Sequence, residues 1–145
     1  MIFIASDHAG FEAKNYVAKL LKEMNENYMD LGTNQEASCH YPEYAIDLAK
    51  HVIKQQGRGI LLCGSGIGVS IVANRFAGIR AALCRSGEEA RLSREHNDSN
   101  VLCIGGRISD QETIKQMIEL FLNTSFSAGR HRDRISMFDT LGEKI

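Results

Sequence analysis

Ile60-Leu61-Leu62-Cys63-Gly64-Ser65-Gly66-Ile67-Gly68 is the stretch that decides how this chain folds. Its apolar opening, Ile60 to Cys63, has no polar break and fits a strand buried on both faces, as in a parallel sheet. The run stops at Gly64, Gly66 and Gly68, and a helical segment continues through Val72 and Ala73. Glycine lets successive amides converge, and a helix start adds partial positive charge, so the turn is suited to receive an anion. The same glycines could instead serve only a tight strand–helix turn. Nucleotide signatures do not fit: G-x-G-x-x-G needs glycine where Val69 stands, and no G-K-[ST] is present.

On either side of this stretch, apolar runs alternate with segments of helical period. Ile2-Phe3-Ile4-Ala5 is a buried strand ending at Asp7-His8, and Val17, Leu20, Leu21 and Met24 then mark one helix face. Tyr28 to Gly32 reads as a short strand with a glycine stop. Pro42, the only proline, suits the first turn of a helix whose core face is Ala45, Leu48, Ala49, Val52 and Ile53. Residues 79–84 and 101–104 supply two further strands. Ile114, Met117, Ile118 and Phe121 mark a helix, and Ile135, Phe138 and Leu141 a closing one. Five β runs separated by helices predict an α/β chain with a five-stranded parallel sheet covered on both faces. No repeat, linker or compositional break appears, so one domain over 1–145 is expected.

Composition narrows the function. Lys+Arg is 17 against Asp+Glu 18, a formal net charge of −1, so no global field recruits nucleic acid or an anionic membrane. No apolar run reaches the length of a membrane span, and the N-terminus lacks a basic, apolar leader. A cytoplasmic location is expected. Cys39, Cys63, Cys84 and Cys103 show no C-x-x-C spacing, which argues against a zinc site or a disulfide framework. Cys84 and Cys103 read as buried reduced thiols.

Open parallel sheets put chemistry beyond the carboxyl ends of their strands. Asp7, His8, Cys63, Ser65 and Arg107 all follow strands directly. Cys63 enters the glycine turn, where amides and a helix start favour a thiolate able to act as nucleophile or base. A cysteine phosphatase would need arginine six residues on, where this chain has Val69. The histidines show neither H-x-H nor H-x-x-x-H spacing, so no metal is expected; His51 reads as a helix-surface residue. Gly129-Arg130-His131-Arg132-Asp133-Arg134 is the densest cationic cluster, with Arg130 and Arg134 one turn apart as a phosphate grip requires. It could equally be a solvated basic face. Without interleaved aromatics it makes a poor nucleic-acid patch.

These residues, taken in order, resemble the type B ribose-5-phosphate isomerases and their galactose-6-phosphate and allose-6-phosphate relatives. The likeness runs through Ser6-Asp7-His8-Ala9-Gly10, Tyr41-Pro42, the Cys63–Gly68 turn, Asn74-Arg75-Phe76-Ala77-Gly78-Ile79-Arg80, Arg94-Glu95-His96-Asn97-Asp98 and Gly129-Arg130-His131. It implies a Rossmann-like three-layer sandwich and a homodimer (a tetramer being the alternative) in which both chains build each site. It also implies metal-free, cofactor-free aldose–ketose isomerisation in pentose phosphate metabolism. By motif, Cys63 is then the base for the carbon-bound proton and His96 the ring-opening acid/base. The amides of Gly64, Ser65, Gly66, Ile67 and Gly68 hold the oxyanion, with the Ser65 hydroxyl assisting. Asp7, His8, Tyr41 and Asn97 match sugar contacts, and Arg107, Arg130, His131 and Arg134 match residues around the phosphate.

Two departures stand out: His40 precedes Tyr41-Pro42 where aspartate is usual, and Ser65 stands where many members have threonine. Some members replace the cysteine by a glutamate a few residues later, but Ile71 and Val72 offer no carboxylate here. A non-catalytic sugar-phosphate-binding module is the competing class. Such a binder needs the glycines and arginines but has no use for a thiol and a ring-opening imidazole together.

Overall fold

The computed structural model describes residues 1–144. Its strands are β1 (Ile2–Ser6), β2 (Tyr28–Asp30), β3 (Arg58–Cys63), β4 (Ala81–Leu83) and β5 (Val101–Gly105). The helices are α1 (Phe11–Glu23), α2 (Tyr41–Gln55), α3 (Ile67–Ala73), α4 (Gly87–Asn97), α5 (Gln111–Asn123) and α6 (Arg130–Ser136). Short 3₁₀ turns cover His8–Gly10 and Met137–Thr140. The strands form one parallel sheet in the order β2-β1-β3-β5-β4, as the alternation of apolar runs predicts.

Side chains alternate across this sheet and define two apolar layers. Ile2, Ile4, Ile60, Leu62, Leu102 and Ile104 pack against Val17 and Leu21 of α1, Ala90 of α4 and Ile114, Met117, Ile118 and Phe121 of α5. On the other face Phe3, Ala5, Leu61, Cys63, Val101 and Cys103 meet Ala45, Leu48, Ala49 and Val52 of α2 and Val69 and Ala73 of α3. The result is the expected three-layer sandwich. Cys84 and Cys103 are buried free thiols, and desolvation pushes the Cys84 thiol up to about 12 and that of Cys103 higher still.

Three elements differ from the sequence reading. The fourth strand is only Ala81–Leu83, because residues 79 and 80 turn in from the Gly78 bend and Cys84 leads toward α4. The helix α4 has little apolar period: it buries Gly87, Ala90, Ser93 and Arg94. Its signal is instead the cap, with Ser86 Oγ accepting from the Glu89 amide at 3.2 Å. At the chain's end the predicted closing helix stops at Ser136; Phe138 and Leu141 lie beyond it and are exposed, and α6 buries no residue, so it is a surface element. The sheet faces are already occupied by α1, α4 and α5 on one side and α2 and α3 on the other; α6 packs on the end of the chain that follows it and on α4.

Replacing the fully buried Leu102 by alanine should cost about 2–5 kcal/mol of unfolding free energy in urea titrations at fixed protein concentration. Lys19→Ala, which removes only an exposed pair with Glu23, should stay within about 0.5 kcal/mol. Iodoacetamide at about pH 8 should label the half-buried Cys39 in the native protein and reach Cys84 and Cys103 only after unfolding, as read by peptide mass spectrometry.

Candidate active site

The chain lays β2 on one side of β1 and β3 on the other, so the direction of strand addition reverses between β1 and β3. A crevice opens beyond the carboxyl ends at such a point. Here it is a cleft of about 530 Å³ lined by Asp7, His8, Tyr41, Cys63, Gly64, Ser65, Ile67, Gly68, Ile71 and Arg107, together with Ala9. Most residues singled out from the sequence therefore meet in one place. Ile71 was assigned no role; its signal is an outward apolar pair with Ile67, four residues earlier, on a helix whose Val69 and Ala73 face inward.

Backbone packing shapes the cleft floor. A Cβ on Gly10 would lie 2.7 Å from the Leu62 carbonyl, and one on Gly105 would lie 2.8 Å from that of Ser65. Gly66 sits at φ +76°, in the left-handed region, and a Cβ there would meet the Ile104 carbonyl carbon at 2.9 Å. Gly68 has no room for a side chain because the Tyr41 ring covers it: a Cβ would come within 2.6 Å of Cζ. The loop is also sewn to the end of β5, since the Gly106 amide donates to the Cys63 carbonyl at 2.8 Å and the Arg107 amide to that of Gly64 at 3.1 Å. Arg107 lies along Gly64.

Side chains are fixed on this floor. Cys63 is 5% exposed, and its Sγ accepts the Gly66 amide at 3.1 Å. Ser65 Oγ accepts the Ile67 amide at 3.2 Å, which leaves its own hydroxyl proton free to donate. Two of the five amides expected to face an oxyanion are thus engaged inside the loop in this structure. Asp7 Oδ1 caps the following turn by accepting the Gly10 amide at 3.0 Å. The Cys39 amide donates to His8 Nδ1 at 3.3 Å, so a neutral His8 carries its proton on Nε2.

The remaining predicted residues form a second group. His96 and Asn97 end α4, and the His96 ring stacks on that of His131, with centroids 4.4 Å apart and planes 16° from parallel. Arg130 and Arg134 flank His131 on α6, both exposed. The last turn of α4 is clamped through Asp98: Arg94 Nη1 reaches Oδ1 at 2.8 Å and Arg80 Nη2 reaches Oδ2 at 2.9 Å. Partial burial, then the His96 ring and the Arg130 and Arg134 guanidiniums, push the His131 imidazole below its ordinary value, while Glu95 opposes them. Asn97 lines a separate hollow of about 460 Å³ with Arg80 and Phe138.

Within one chain these groups stand at opposite poles. Cys63 is level with Gly105 at the carboxyl end of β5, whereas α4 runs back to the start of that strand. At roughly 3.3 Å per residue, about 16 Å of β5 separates them.

A family model of ribose/galactose isomerases matches residues 2–138. The chain is 38% identical over 144 residues to ribose-5-phosphate isomerase B of Escherichia coli, covering 99% of this chain and 97% of that protein. It superposes on a ribose 5-phosphate isomerase of Thermotoga maritima with a TM-score of 0.94 at 44% identity, over 97% of both chains. Ribose-5-phosphate isomerase B of Mycoplasma genitalium, solved with bound ribulose-5-phosphate, matches with a TM-score of 0.91 at 39% identity, over 95% of this chain and 93% of that one. A thiol on an amide-lined floor at the strand switch and these likenesses along nearly the whole length agree: the chain belongs to the ribose/galactose isomerase family.

Proposed function

We propose that this chain, as one domain, interconverts ribose 5-phosphate and ribulose 5-phosphate through an enediolate, with Cys63 as base and without a metal. The carrying observation is the Cys63 sulfur on the cleft floor, accepting the Gly66 amide at 3.1 Å among residues able to hold a sugar phosphate. That hydrogen bond is stronger to a thiolate than to a thiol. Relatives named as ribose-5-phosphate isomerase B, one of them with ribulose-5-phosphate bound, support the same substrate.

Ring opening comes first. The furanose O1 hydroxyl loses its proton, the bond from C1 to the ring oxygen breaks, and that oxygen gains a proton; His96 serves this exchange. Cys63 then takes the C2 proton of the open aldose. Charge moves onto O1, where a free loop amide and the Ser65 hydroxyl stabilise it. Return of the proton to C1, with a proton passing from O2 to O1, gives the ketose. Asp7, His8, Tyr41 and Asn97 contact the sugar, while Arg107, Arg130, His131 and Arg134 take the phosphate, where planar guanidiniums bind best.

His96 lies too far from Cys63 in one chain for both to touch one substrate. The reading therefore requires a homodimer in which each site joins the cleft of one copy to α4 and α6 of the other. Ile67 and Ile71, 44% and 58% exposed beside the cleft, give such a partner an apolar landing surface.

A coupled assay on ribose 5-phosphate, allose 6-phosphate and galactose 6-phosphate should show turnover fastest on the pentose. Cys63→Ser should lose roughly 10²–10⁴-fold or more in kcat while retaining its fold by circular dichroism. Near wild-type turnover of that variant would remove the thiol from the mechanism. Inactive Cys63→Ala and His96→Asn chains, unfolded together and refolded as a mixture, should recover roughly a quarter of wild-type activity, because each mixed dimer holds one intact site. No recovery, with mixed dimers present by native mass spectrometry, would put both residues in one chain's site.

A further inference from the structure

The stacked His96 and His131 rings lie beside two guanidiniums, and this combination has a consequence for protons. From its own helix His131 faces Arg130 and Arg134; from α4 it faces His96 and Glu95, and the Glu95 carboxylate is already bonded by Arg91. Arg132 and Asp139 line a different hollow with Arg80 and Asp98. Residues 124–129, which lead into α6, carry no charged side chain. Among the described residues neither Arg130 nor Arg134 has a carboxylate partner in a salt bridge. The cluster therefore combines two fixed cations with a pair of rings that share one small space.

We propose that anion binding at this cluster, already part of the isomerase reading, carries a proton with it: His131 becomes protonated as a tetrahedral dianion seats against Arg130 and Arg134. This rests on the isomerase reading for the identity of the natural anion, the substrate phosphate. The proton comes from solvent and bonds to the ring nitrogen of His131; no other bond forms or breaks. Partial burial and then the positive neighbours push the His131 imidazole below its ordinary value beforehand, which favours the neutral ring. An arriving dianion offsets the two fixed positive charges. The uptake leaves an imidazolium in stacking contact with His96, the group assigned to ring opening, only when substrate is bound.

Linkage gives the direction. The complex binds more protons than the free protein, so anion affinity rises as pH falls through the His131 pKa of the complex and levels off below that of the free protein. Sulfate is the probe, because it is a dianion that does not itself titrate near neutrality. Calorimetry of sulfate binding to the whole protein at about pH 7, in buffers of different ionisation enthalpy, should reveal net proton uptake. His131→Asn should bind sulfate with more than half of that uptake lost, and His51→Asn, on the surface of α2, should retain it. In the wild type at constant pH, sulfate should move the His131 ring resonances toward their protonated positions. Wild-type binding without uptake, or uptake undiminished in His131→Asn, would overturn the proposal. Isomerase activity measured on the same preparations separates the two ideas: turnover without uptake sinks only the proton coupling, whereas uptake without turnover of any sugar phosphate sinks the isomerase reading.

Discussion

The helices that follow β1 and β3 cover opposite faces of the sheet, so the carboxyl ends of these neighbouring strands part and leave a gap between their loops. Val17 and Leu21 of α1 pack with Ile4 and Ile60, whereas Val69 and Ala73 of α3 pack with Phe3 and Leu61. The rest of the cleft follows from that divergence. Asp7 and His8 leave β1 toward the gap, Cys63 to Gly68 leave β3 into it, and Arg107 arrives from the neighbouring β5. The start of α2 closes the rim with Tyr41.

The gap is narrow because main chain touches main chain. Gly10 lies on the Leu62 carbonyl and Gly105 on that of Ser65, contacts no side chain would permit. These approaches fix the main chain of the loop, and its Gly66 amide meets the Cys63 sulfur. The opposite pole is organised differently. There a buried guanidinium, Arg94, ties Asp98 and the Ser99 carbonyl together and so holds the end of α4, where His96 and Asn97 reside.

The contrast explains what could be read from the sequence. Uninterrupted apolar runs at 2–5, 60–63 and 101–104 are short enough to read as buried strands, and glycines after them announce close backbone approach. Asp7, His8, Cys63, Ser65 and Arg107 were legible because the strand-end rule needs no tertiary knowledge. The helix α4 was not, since Ser93 and Arg94 occupy inward positions where leucine would have revealed a period. Ile135, Phe138 and Leu141 misled in the opposite sense: they have helical spacing, but the chain has no free sheet face for them to cover. The stack of His96 on His131 joins residues 35 positions apart on two helices whose packing no local pattern encodes. Nor does anything local say that a Cys39 amide will settle the tautomer of His8.

The backbone contacts of the glycine loop also determine when conformational freedom is lost. Fixing one residue's main chain costs roughly 1–2 kcal/mol of entropy, and side chains such as arginine lose up to about 2 kcal/mol more when immobilised. For residues 64–66 the main-chain loss belongs to folding, because β5 holds them in place through Gly105 and the Gly106 and Arg107 amides. The exposed Arg130 and Arg134 side chains still have their rotamers to lose. In the homodimer proposed above, a ligand would thus meet one wall already stiff and one still soft. If the site is assembled as proposed, its binding entropy is set by the cationic wall, and stiffening α6 would tighten binding without adding a contact.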